Sequence, residues 1–251
     1  AMDQVGAALG PLILSVVLVR GGSYRQGFSI LLVPALAAIS FLLVARRLFP
    51  RPRGFETGSA RIESGRPEGR FWIYLAAVAA IAAGYVDFPL IAYHLKRTAV
   101  TGDAAIPLLY ALAMGIDAIA ALVLGRLYDT AGVRVLVSSS LVSLLSAPLV
   151  FLGGVRSIGV GMVAWGIGMG AQESVLRAVV ADMVPADRRG SAYGVFYCTY
   201  GLSWFLGSLV AGLLYDISLP GLAVVSMGLQ ALSIPLLLRA GRVPRSRGSE
   251  I

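Results

Sequence analysis

The chain has 251 residues, of which 57% are hydrophobic and 14% are charged, and its mean hydropathy is +0.81. A soluble fold of this length could not bury so much apolar surface, so composition excludes a water-soluble domain and indicates a polytopic membrane protein. The net charge of +8 does not predict a nucleic-acid partner, because the arginines gather between apolar runs rather than among aromatic side chains; we assign it to anionic lipid at one membrane face.

Eight apolar runs follow one another along the chain. A helix needs about 20 mostly apolar residues to cross the hydrocarbon core of a bilayer. We therefore predict an all-α fold with about eight transmembrane helices, at roughly 1–19, 27–49, 71–95, 105–127, 135–153, 157–184, 191–215 and 218–240. The polar segment 50–70 is predicted to link a first unit, 1–49, to a six-helix bundle, 71–240, followed by a cytoplasmic tail, 241–251.

Basic residues are concentrated on one side of these spans. If the eight runs alternate across the bilayer, fifteen of the 21 lysines and arginines fall on one side and five on the other, and Arg177 lies within a span. The positive-inside rule places the richer side in the cytoplasm. We therefore predict a multi-pass protein of the plasma (inner) membrane of a prokaryote, with the linker and both termini in the cytoplasm.

One short segment occurs twice. Gly125-Arg126-Leu127-Tyr128-Asp129 ends the fourth run and opens a predicted tight, charged turn that reaches Arg134, and Gly212-Leu213-Leu214-Tyr215-Asp216 ends the seventh run. We call these the Gly-x-Leu-Tyr-Asp segments. Each closes the second helix of a group of three, and the predicted topology puts them on opposite faces. This pattern is typical of an inverted repeat, which in membrane proteins indicates transport; chance or general helix-end chemistry is the alternative.

Acidic residues within the spans are candidates for function, because charge is costly in lipid. Asp87 lies between Gly84 and Pro89, which both weaken a helix, so we predict local unwinding that presents backbone carbonyls and a carboxylate to a cavity. The alternative is a kinked helix whose aspartate bonds a neighbouring backbone group. Asp117 lies about 18 Å before Asp129 along its helix and is either a proton or cation relay or a hydrogen-bonding group between helices. The acids in spans are Asp3, Asp87, Asp117 and Glu173.

Other polar and aromatic side chains in or near the spans are also candidates. Glu173 and Arg177 have the spacing of an ion pair on one helix face, which either neutralises itself or opens to bind an anionic group or exchange a proton. His94 stands near a helix end, where we expect an interfacial cap. Trp165 and Trp204 are deep enough to line a cavity, and simple packing is the alternative.

No catalytic constellation is present in the sequence. One histidine and one cysteine provide neither a metal-ligand set nor a nucleophile with its base, and no glycine cluster is followed by the Lys-Ser or Lys-Thr of a phosphate loop. We therefore predict that the protein is not an enzyme, binds no metal and needs no cofactor.

Three segments resemble motifs of the major facilitator superfamily. The 125–134 segment resembles the loop motif that recurs in each half of those transporters, although only one basic residue follows Gly132. The start of the chain resembles the Gly-Pro motif of the fifth helix of the family's exporters, and 181–194 is similar to the junction of its tenth and eleventh helices. The residues concerned are Gly125, Arg126, Asp129, Gly132 and Arg134 in the cytoplasmic gate loop, and Asp3, Gln4, Gly6, Gly10 and Pro11 in the fifth-helix motif.

The resemblance implies the general-transporter fold of that superfamily, with the eight runs as helices five to twelve and 50–70 as its central cytoplasmic loop. We expect a chain truncated at its N-terminus, holding the last two helices of the N-terminal half and the whole C-terminal half. The implied function is a proton-coupled permease that moves a small molecule, by efflux or uptake, through alternating access. Its expected partners are the lipid bilayer, the substrate, protons, and the missing helices or another chain. The predicted substrate and proton pathway contains Asp87, Tyr85, Asp117, Trp165, Gln172, Glu173 and Arg177.

A second hypothesis stays open at this point. A chain of this kind could be a membrane-embedded accessory protein that pairs with another chain and transports nothing itself. Four further apolar runs encoded in frame ahead of Ala1 would favour the transporter, whereas a start codon at Met2 would favour the accessory protein.

Overall fold

The computed structural model describes residues 2–48 and 69–241, and these ranges contain helices and no strand. The helices are α1 (Met2–Val19), α2 (Tyr24–Leu48), α3 (Gly69–Gly84), α4 (Phe88–Thr98), α5 (Ala105–Ala131), α6 (Arg134–Ser143), α7 (Ser146–Phe151), α8 (Val155–Met183), α9 (Arg189–Ile217) and α10 (Leu219–Ala240), with a 3-10 turn at Ala186–Arg188 before α9. The all-α fold predicted from the sequence is confirmed. We call the end of the bundle where α3 begins and α10 ends the linker end, and the opposite end the far end.

Six of the eight predicted spans are long and apolar enough to cross a membrane. They are Tyr24–Leu48, Gly69–Thr98, Ala105–Ala131, Arg134–Phe151, Arg189–Ile217 and Leu219–Ala240. The first predicted span contains a shorter apolar helical stretch, Gly6–Val19. The sixth, α8, has 29 residues but is less apolar, since its middle carries several glycines, Gln172 and Glu173. Fourteen of its residues are buried, so protein rather than lipid surrounds it, and the hydrophobic requirement on a lipid-facing helix is relaxed.

Helix α8 packs along α5, α6 and α7, and its glycines set the distance of closest approach to α5. A β-carbon at Gly166 would lie 2.5 Å from the carbonyl oxygen of Ala113, and one at Gly170 would lie 2.7 Å from that of Asp117. The four-residue spacing of the two glycines brings both to the same face of α8, as in other small-residue contacts between membrane helices. This crossing holds Asp117, which is fully buried, against α8.

Two of the spans are broken. Residues 85–87 separate α3 from α4, which confirms the unwinding predicted at Asp87, and Leu144 and Leu145 separate α6 from α7. At 1.5 Å per residue, α3 is about 24 Å long and α4 about 16 Å long, so the first break lies within the depth of the hydrocarbon core. The second break was not predicted and is milder than the first, because Leu144 and Leu145 keep helical backbone angles and their N–H groups donate to the carbonyls of Ser140 and Val142.

The predicted gate loop is mostly helical. Helix α5 continues to Ala131, so Gly125, Arg126 and Asp129 lie in its last turns, and the turn itself consists of Gly132 and Val133. Gly132 has a φ of 61° and its N–H donates to the carbonyl of Tyr128 at 2.8 Å, which ends the helix. The prediction of a turn that begins at Gly125 was wrong, because a helix satisfies its own backbone groups for as long as the chain permits.

Residues 49–68 and 242–251 lie outside the described residues, together with the side chains of Asp3 and Gln4. The division of the chain at 50–70 and the cytoplasmic tail therefore stay predictions. Helix α1 packs against both α2 and α5.

Candidate functional site

Asp87 is the centre of the candidate site. It has an extended backbone (φ −66°, ψ 145°) between α3 and α4, and its side chain does not cap α4. Its carboxylate instead accepts hydrogen bonds from α9, through the indole N–H of Trp204 and the hydroxyl of Ser208, the latter at 2.5 Å. The carboxylate therefore joins the broken helix to a helix of the second repeat rather than bonding neighbouring backbone.

The backbone groups released by the break are bonded by side chains from two other helices. The carbonyl of Gly84 accepts from the hydroxyl of Ser226 at 2.5 Å and from the amide of Gln230 at 3.2 Å. The carbonyl of Val86 accepts from the indole N–H of Trp165 at 2.9 Å. Such bonds are required where a helix is interrupted away from water. The break is thus a defined part of the fold, stabilised by side chains of α8 and α10.

The side chain of Gln230, which bonds the carbonyl of Gly84, also reaches the second break. The amide oxygen of Gln230 accepts from the hydroxyl of Ser143 at 2.7 Å, at the last residue of α6. Gln230 is 1% exposed and Ser143 is 3% exposed. One glutamine therefore connects both interruptions through a fully buried hydrogen-bond network.

Aromatic rings form an arc around the break. Its ring-centroid distances are 4.2 Å for Phe88–Tyr110, 6.4 Å for Tyr110–Trp165, 5.4 Å for Trp165–Tyr85, 5.7 Å for Tyr85–Trp204 and 5.3 Å for Trp204–Tyr200. We call these six residues the aromatic arc. Tyr85 and Trp165 are buried, and the other four are half-buried.

The remaining predicted pathway residues lie beside the arc. Asp117 on α5 and Glu173 on α8 lie close enough to Tyr85 and Tyr110 for a charge on either acid to interact with the two tyrosine hydroxyls. Gln172 is buried and accepts a hydrogen bond from the hydroxyl of Tyr200 at 3.2 Å. The structure therefore brings these predicted residues together with Asp87.

Arg177 contacts the backbone of Glu173, the residue whose spacing suggested an ion pair. It is exposed, and its Nε donates to the backbone carbonyl of Glu173, one helical turn away. A backbone carbonyl keeps the guanidinium near the rim of the site, on the side toward the linker end.

An apolar cavity of about 540 Å³ adjoins the arc where Phe88 and Tyr110 stack. The fifth-helix motif contributes Gly10 and Pro11 to its wall, whereas a β-carbon at either Gly6 or Gly10 would meet no atom within 4 Å. The two glycines of α1 therefore border open space in the described residues rather than a close helix contact. The cavity is lined by Gly10, Pro11, Leu14, Tyr24, Phe28, Leu31, Phe88, Ala92, Lys96, Ile106, Pro107 and Tyr110.

The first Gly-x-Leu-Tyr-Asp segment lies at the linker end. The hydroxyl of Tyr128 donates to the carboxylate of Asp182 at 2.8 Å, which joins the end of α5 to the end of α8. Arg189 donates to the carbonyl of Ala181 at 2.9 Å and to that of Val184 at 3.3 Å, which closes the same end of α8. The predicted gate residues Arg126, Asp129 and Arg134 are exposed beside this contact.

The second Gly-x-Leu-Tyr-Asp segment lies at the far end. The hydroxyl of Tyr215 is 3.1 Å from Nδ1 of His94, and Asp216 pairs with Arg97 at 2.9 Å. His94 is 4% exposed, so the expected interfacial cap was wrong; the ring packs against Phe151 and Tyr215. The guanidinium of Arg97 also stands over the ring of Tyr215, 5.6 Å from its centroid.

The two contacts are related as an inverted repeat requires. Each tyrosine ends the second helix of one group of three and reaches the end of the first helix of the other group, α8 for Tyr128 and α4 for Tyr215. The two groups, α3 to α7 and α8 to α10, are therefore joined reciprocally at both ends.

Sequence reasoning missed the partners of Asp87 on α9. Tyr200, Trp204 and Ser208 are spaced by four residues and so share one face of that helix. The sequence signal that could have predicted these partners was a polar and aromatic face on an otherwise apolar helix.

Three curated relatives are 36% identical to the chain over 254 residues: an uncharacterized protein of Mycobacterium bovis and uncharacterized proteins of Mycobacterium tuberculosis strains CDC 1551 and H37Rv. The match covers 98% of this chain and 61% of each relative, so the chain spans about three fifths of the length of the relatives it matches.

The family model of the Major Facilitator Superfamily matches residues 1–208 and 73–250. These overlapping matches cover essentially the whole chain, and the second begins where the six-helix bundle begins. The helical architecture, the six apolar spans and the reciprocal repeat contacts agree with that match. The chain belongs to the major facilitator superfamily, a family of transporters, and is an integral, multi-pass membrane protein.

Proposed function

We propose that the full-length protein is a proton-coupled permease that moves a small molecule by alternating access across a prokaryotic inner membrane, with the linker end in the cytoplasm. The observation that carries this proposal is the placement of Asp87. Its carboxylate lies within the membrane-spanning depth, in an interrupted helix, and is held by neutral donors from α9. An ionisable group in such a position supports a role in an ion or substrate pathway.

Protonation of Asp87 would couple to helix movement through α9. The ionised carboxylate accepts from both Trp204 and Ser208, whereas the neutral acid is a weaker acceptor and carries a proton of its own. Loss of this contact would weaken the connection between α9 and the α3–α4 break.

Asp117 offers a second protonation site on the same pathway. It is fully buried on α5, twelve residues from the start of that helix and so about 18 Å into the membrane. Proton transfer between Asp117 and Asp87 would cross the aromatic arc, whose Tyr85 is subject to the charge of Asp117.

The test uses everted membrane vesicles that contain the full-length protein and maintain a pH gradient read by a fluorescent weak base. A panel of organic cations, organic anions and neutral solutes is added in turn, and a transported compound dissipates the gradient. We expect the double variant Asp87→Asn/Asp117→Asn to abolish this response, while Asp187→Asn, in the 3-10 turn at the linker end, keeps it. An unchanged response in the double variant would exclude coupling through these acids, and a wild-type protein that responds to no compound would favour the accessory hypothesis.

A further inference from the structure

We propose that His94 is a pH sensor for the far end: its neutral imidazole joins α4 to α9 through Tyr215, and protonation of the ring in an acidic medium breaks this contact and opens that end of the bundle. The sensor is separate from the proton pathway proposed at Asp87, and it does not require that the protein transports a substrate. His94 is the one histidine of the chain.

The imidazole of His94 lies in apolar surroundings between three helices. The residue is 4% exposed, and its ring centroid lies 5.0 Å from that of Phe151 on α7 and 5.7 Å from that of Tyr215 on α9. Both aromatic side chains belong to the buried apolar cluster at the far end. A charge in such a place is costly unless a charge of opposite sign pairs with it.

The hydrogen-bond partner of the ring is a neutral group. Nδ1 of His94 lies 3.1 Å from the hydroxyl of Tyr215, and no carboxylate of the described residues forms an ion pair with the imidazole. A neutral imidazole and a phenol form a good hydrogen bond, because each of them can donate or accept. An imidazolium would donate from both ring nitrogens, and a phenol cannot neutralise its charge. The closed far end therefore favours the neutral ring.

A second cation already lies beside Tyr215. The guanidinium of Arg97, one helical turn after His94 on α4, lies 5.6 Å from the ring centroid of Tyr215 and 5.9 Å from that of Tyr93. The carboxylate of Asp216 pairs with Arg97 at 2.9 Å and so offsets one positive charge. A protonated His94 would bring a second positive charge to the same tyrosine ring, and like charges repel strongly where little water separates them.

The other charged groups at this end offer no compensation. Helix α7 and the start of α10 carry no titratable side chain. The loop before α5 contributes Asp103, which pairs with Lys96, and the start of α8 contributes Arg156, which is exposed and positive. From α5, Tyr110 stacks on Phe88 at the opposite end of α4. Protonation of the imidazole would therefore add a positive charge to an end whose acids in the described residues already pair with bases.

The burial of this ring makes the closed end sensitive to pH in one direction. The backbones of α4 and α9 make little close contact in the described residues, so the side chains of Tyr215 and Asp216 provide much of the connection. When the two helices separate, the imidazole reaches water, where it titrates at about pH 6.5. The open form then binds a proton more readily than the closed form. By linkage, the closed form loses stability as the pH falls below about 6.5 and is unaffected above it.

The test measures how accessible a buried thiol becomes at the far end of the full-length protein in detergent, after its other cysteines have been replaced. Ile91→Cys reports the release of α4, because Ile91 is 1% exposed and lies one turn before His94 on the buried face of that helix. Gly102→Cys, exposed in the far-end loop, corrects for the titration of the thiol itself. We expect the ratio of their maleimide reaction rates, Ile91→Cys over Gly102→Cys, to rise about tenfold from about pH 7.5 to about pH 5.5.

Three variants assign this rise to the imidazole. His94→Gln keeps a neutral hydrogen-bonding side chain beside Tyr215 and should abolish the rise, whereas Asp87→Asn should keep it. Arg97→Gln frees the carboxylate of Asp216 for a protonated His94 and should reduce the rise at least about threefold. The inference is wrong if the wild type shows no rise, if the rise persists in His94→Gln or is unchanged in Arg97→Gln, or if Asp87→Asn removes it. None of these outcomes depends on whether a substrate dissipates the pH gradient in vesicles, so the two proposals can fail separately.

Discussion

The linker end and the far end of the bundle use one sequence motif with two different chemistries. At the linker end, Tyr128 donates to a carboxylate, that of Asp182. At the far end, Tyr215 shares a hydrogen bond with the imidazole of His94, and Asp216 adds an ion pair with Arg97 in which both side chains are more than half exposed. The motif thus determines which helices contact each other. The residues that the motif contacts determine which interactions join the helices at each end.

The contacts at the two ends should differ both in strength and in their sensitivity to salt. A hydrogen bond to a carboxylate contributes about 1.5–3 kcal/mol, whereas one between neutral groups contributes about 1 kcal/mol. An exposed ion pair adds little and is screened by salt. We therefore expect the bond from Tyr128 to Asp182, whose carboxylate is exposed, to be modestly stronger than the bond between Tyr215 and His94, and four experiments can break or sharpen this comparison.

The largest expected effect is the sidedness of the two ends. In a Cys198→Ser background, Gly102→Cys places a thiol in the far-end loop, and Ala131→Cys places one beside the linker-end turn; both positions are exposed. In intact cells, a membrane-impermeant maleimide should label only residue 102, and residue 131 should react only after lysis. Labelling of both residues in intact cells, or the reverse order, would refute the topology derived from the positive charges.

Loss of either tyrosine ring should destabilise the protein by a similar amount. Tyr128 is 9% exposed and Tyr215 is 7% exposed, and each belongs to a buried apolar cluster at its own end. Tyr128→Ala and Tyr215→Ala should therefore each lower the free energy of unfolding by about 3 kcal/mol. Denaturation of the full-length protein by sodium dodecyl sulfate measures this, and a large inequality would show that packing, too, differs between the ends.

Loss of the tyrosine hydroxyl alone should lower the free energy of unfolding by different amounts at the two ends. We expect Tyr128→Phe to lower the free energy of unfolding by about 1.5 kcal/mol, the low end for a bond to a charged group because the Asp182 carboxylate is exposed to water, and Tyr215→Phe to lower it by about 1 kcal/mol. The same denaturation assay applies. Equal values, or a larger value at Tyr215, would contradict the expectation that the bond from Tyr128 to Asp182 is the stronger of the two.

The smallest effect is expected from Asp216→Asn. It removes the ion pair with Arg97 but leaves the contact between Tyr215 and His94. The melting temperature should fall by less than it does in Tyr215→Phe, and the difference from the wild type should disappear in 1 M salt. A deficit that persists at high salt would mean that Asp216 also acts by holding Arg97 over the ring of Tyr215 and not only through the screened ion pair.

The break at Asp87 was predictable and the break at Leu144 was not, for a physical reason. Gly84 and Pro89 weaken the helix on either side of Asp87 and are visible in the sequence. No comparable pair of residues marks the second break, and the hydroxyl of Ser143 beside it donates to Gln230, which is 87 residues away along the chain. The same glutamine donates to the carbonyl of Gly84, and a local pattern cannot show which distant side chain will make such a bond.

The composition of the site was predictable, and most of its contacts were not. The acids were evident because charge is rare within apolar runs, and six of the seven predicted pathway residues lie around the break, with Arg177 at its rim. Trp204 and Ser208 became partners of Asp87 only because α9 packs against α3, where a β-carbon at Gly207 would lie 2.2 Å from the carbonyl oxygen of Ala83. The burial of α8 was equally difficult to predict from the sequence, since α8 is less apolar than the other spans and yet packs at the centre of the helices.

The reciprocal tyrosine contacts have a consequence for the order in which the chain assembles during synthesis. Tyr128 and Asp182 are 54 residues apart, so that contact becomes available once α8 has entered the membrane. Tyr215 and His94 are 121 residues apart, and theirs must await α9. Until α9 has been synthesised, the end of α4 lacks its contact with that helix. The first group of three helices therefore stays incomplete until the second group is translated. During synthesis, the contact between Tyr128 and Asp182 therefore becomes available before the contact between Tyr215 and His94.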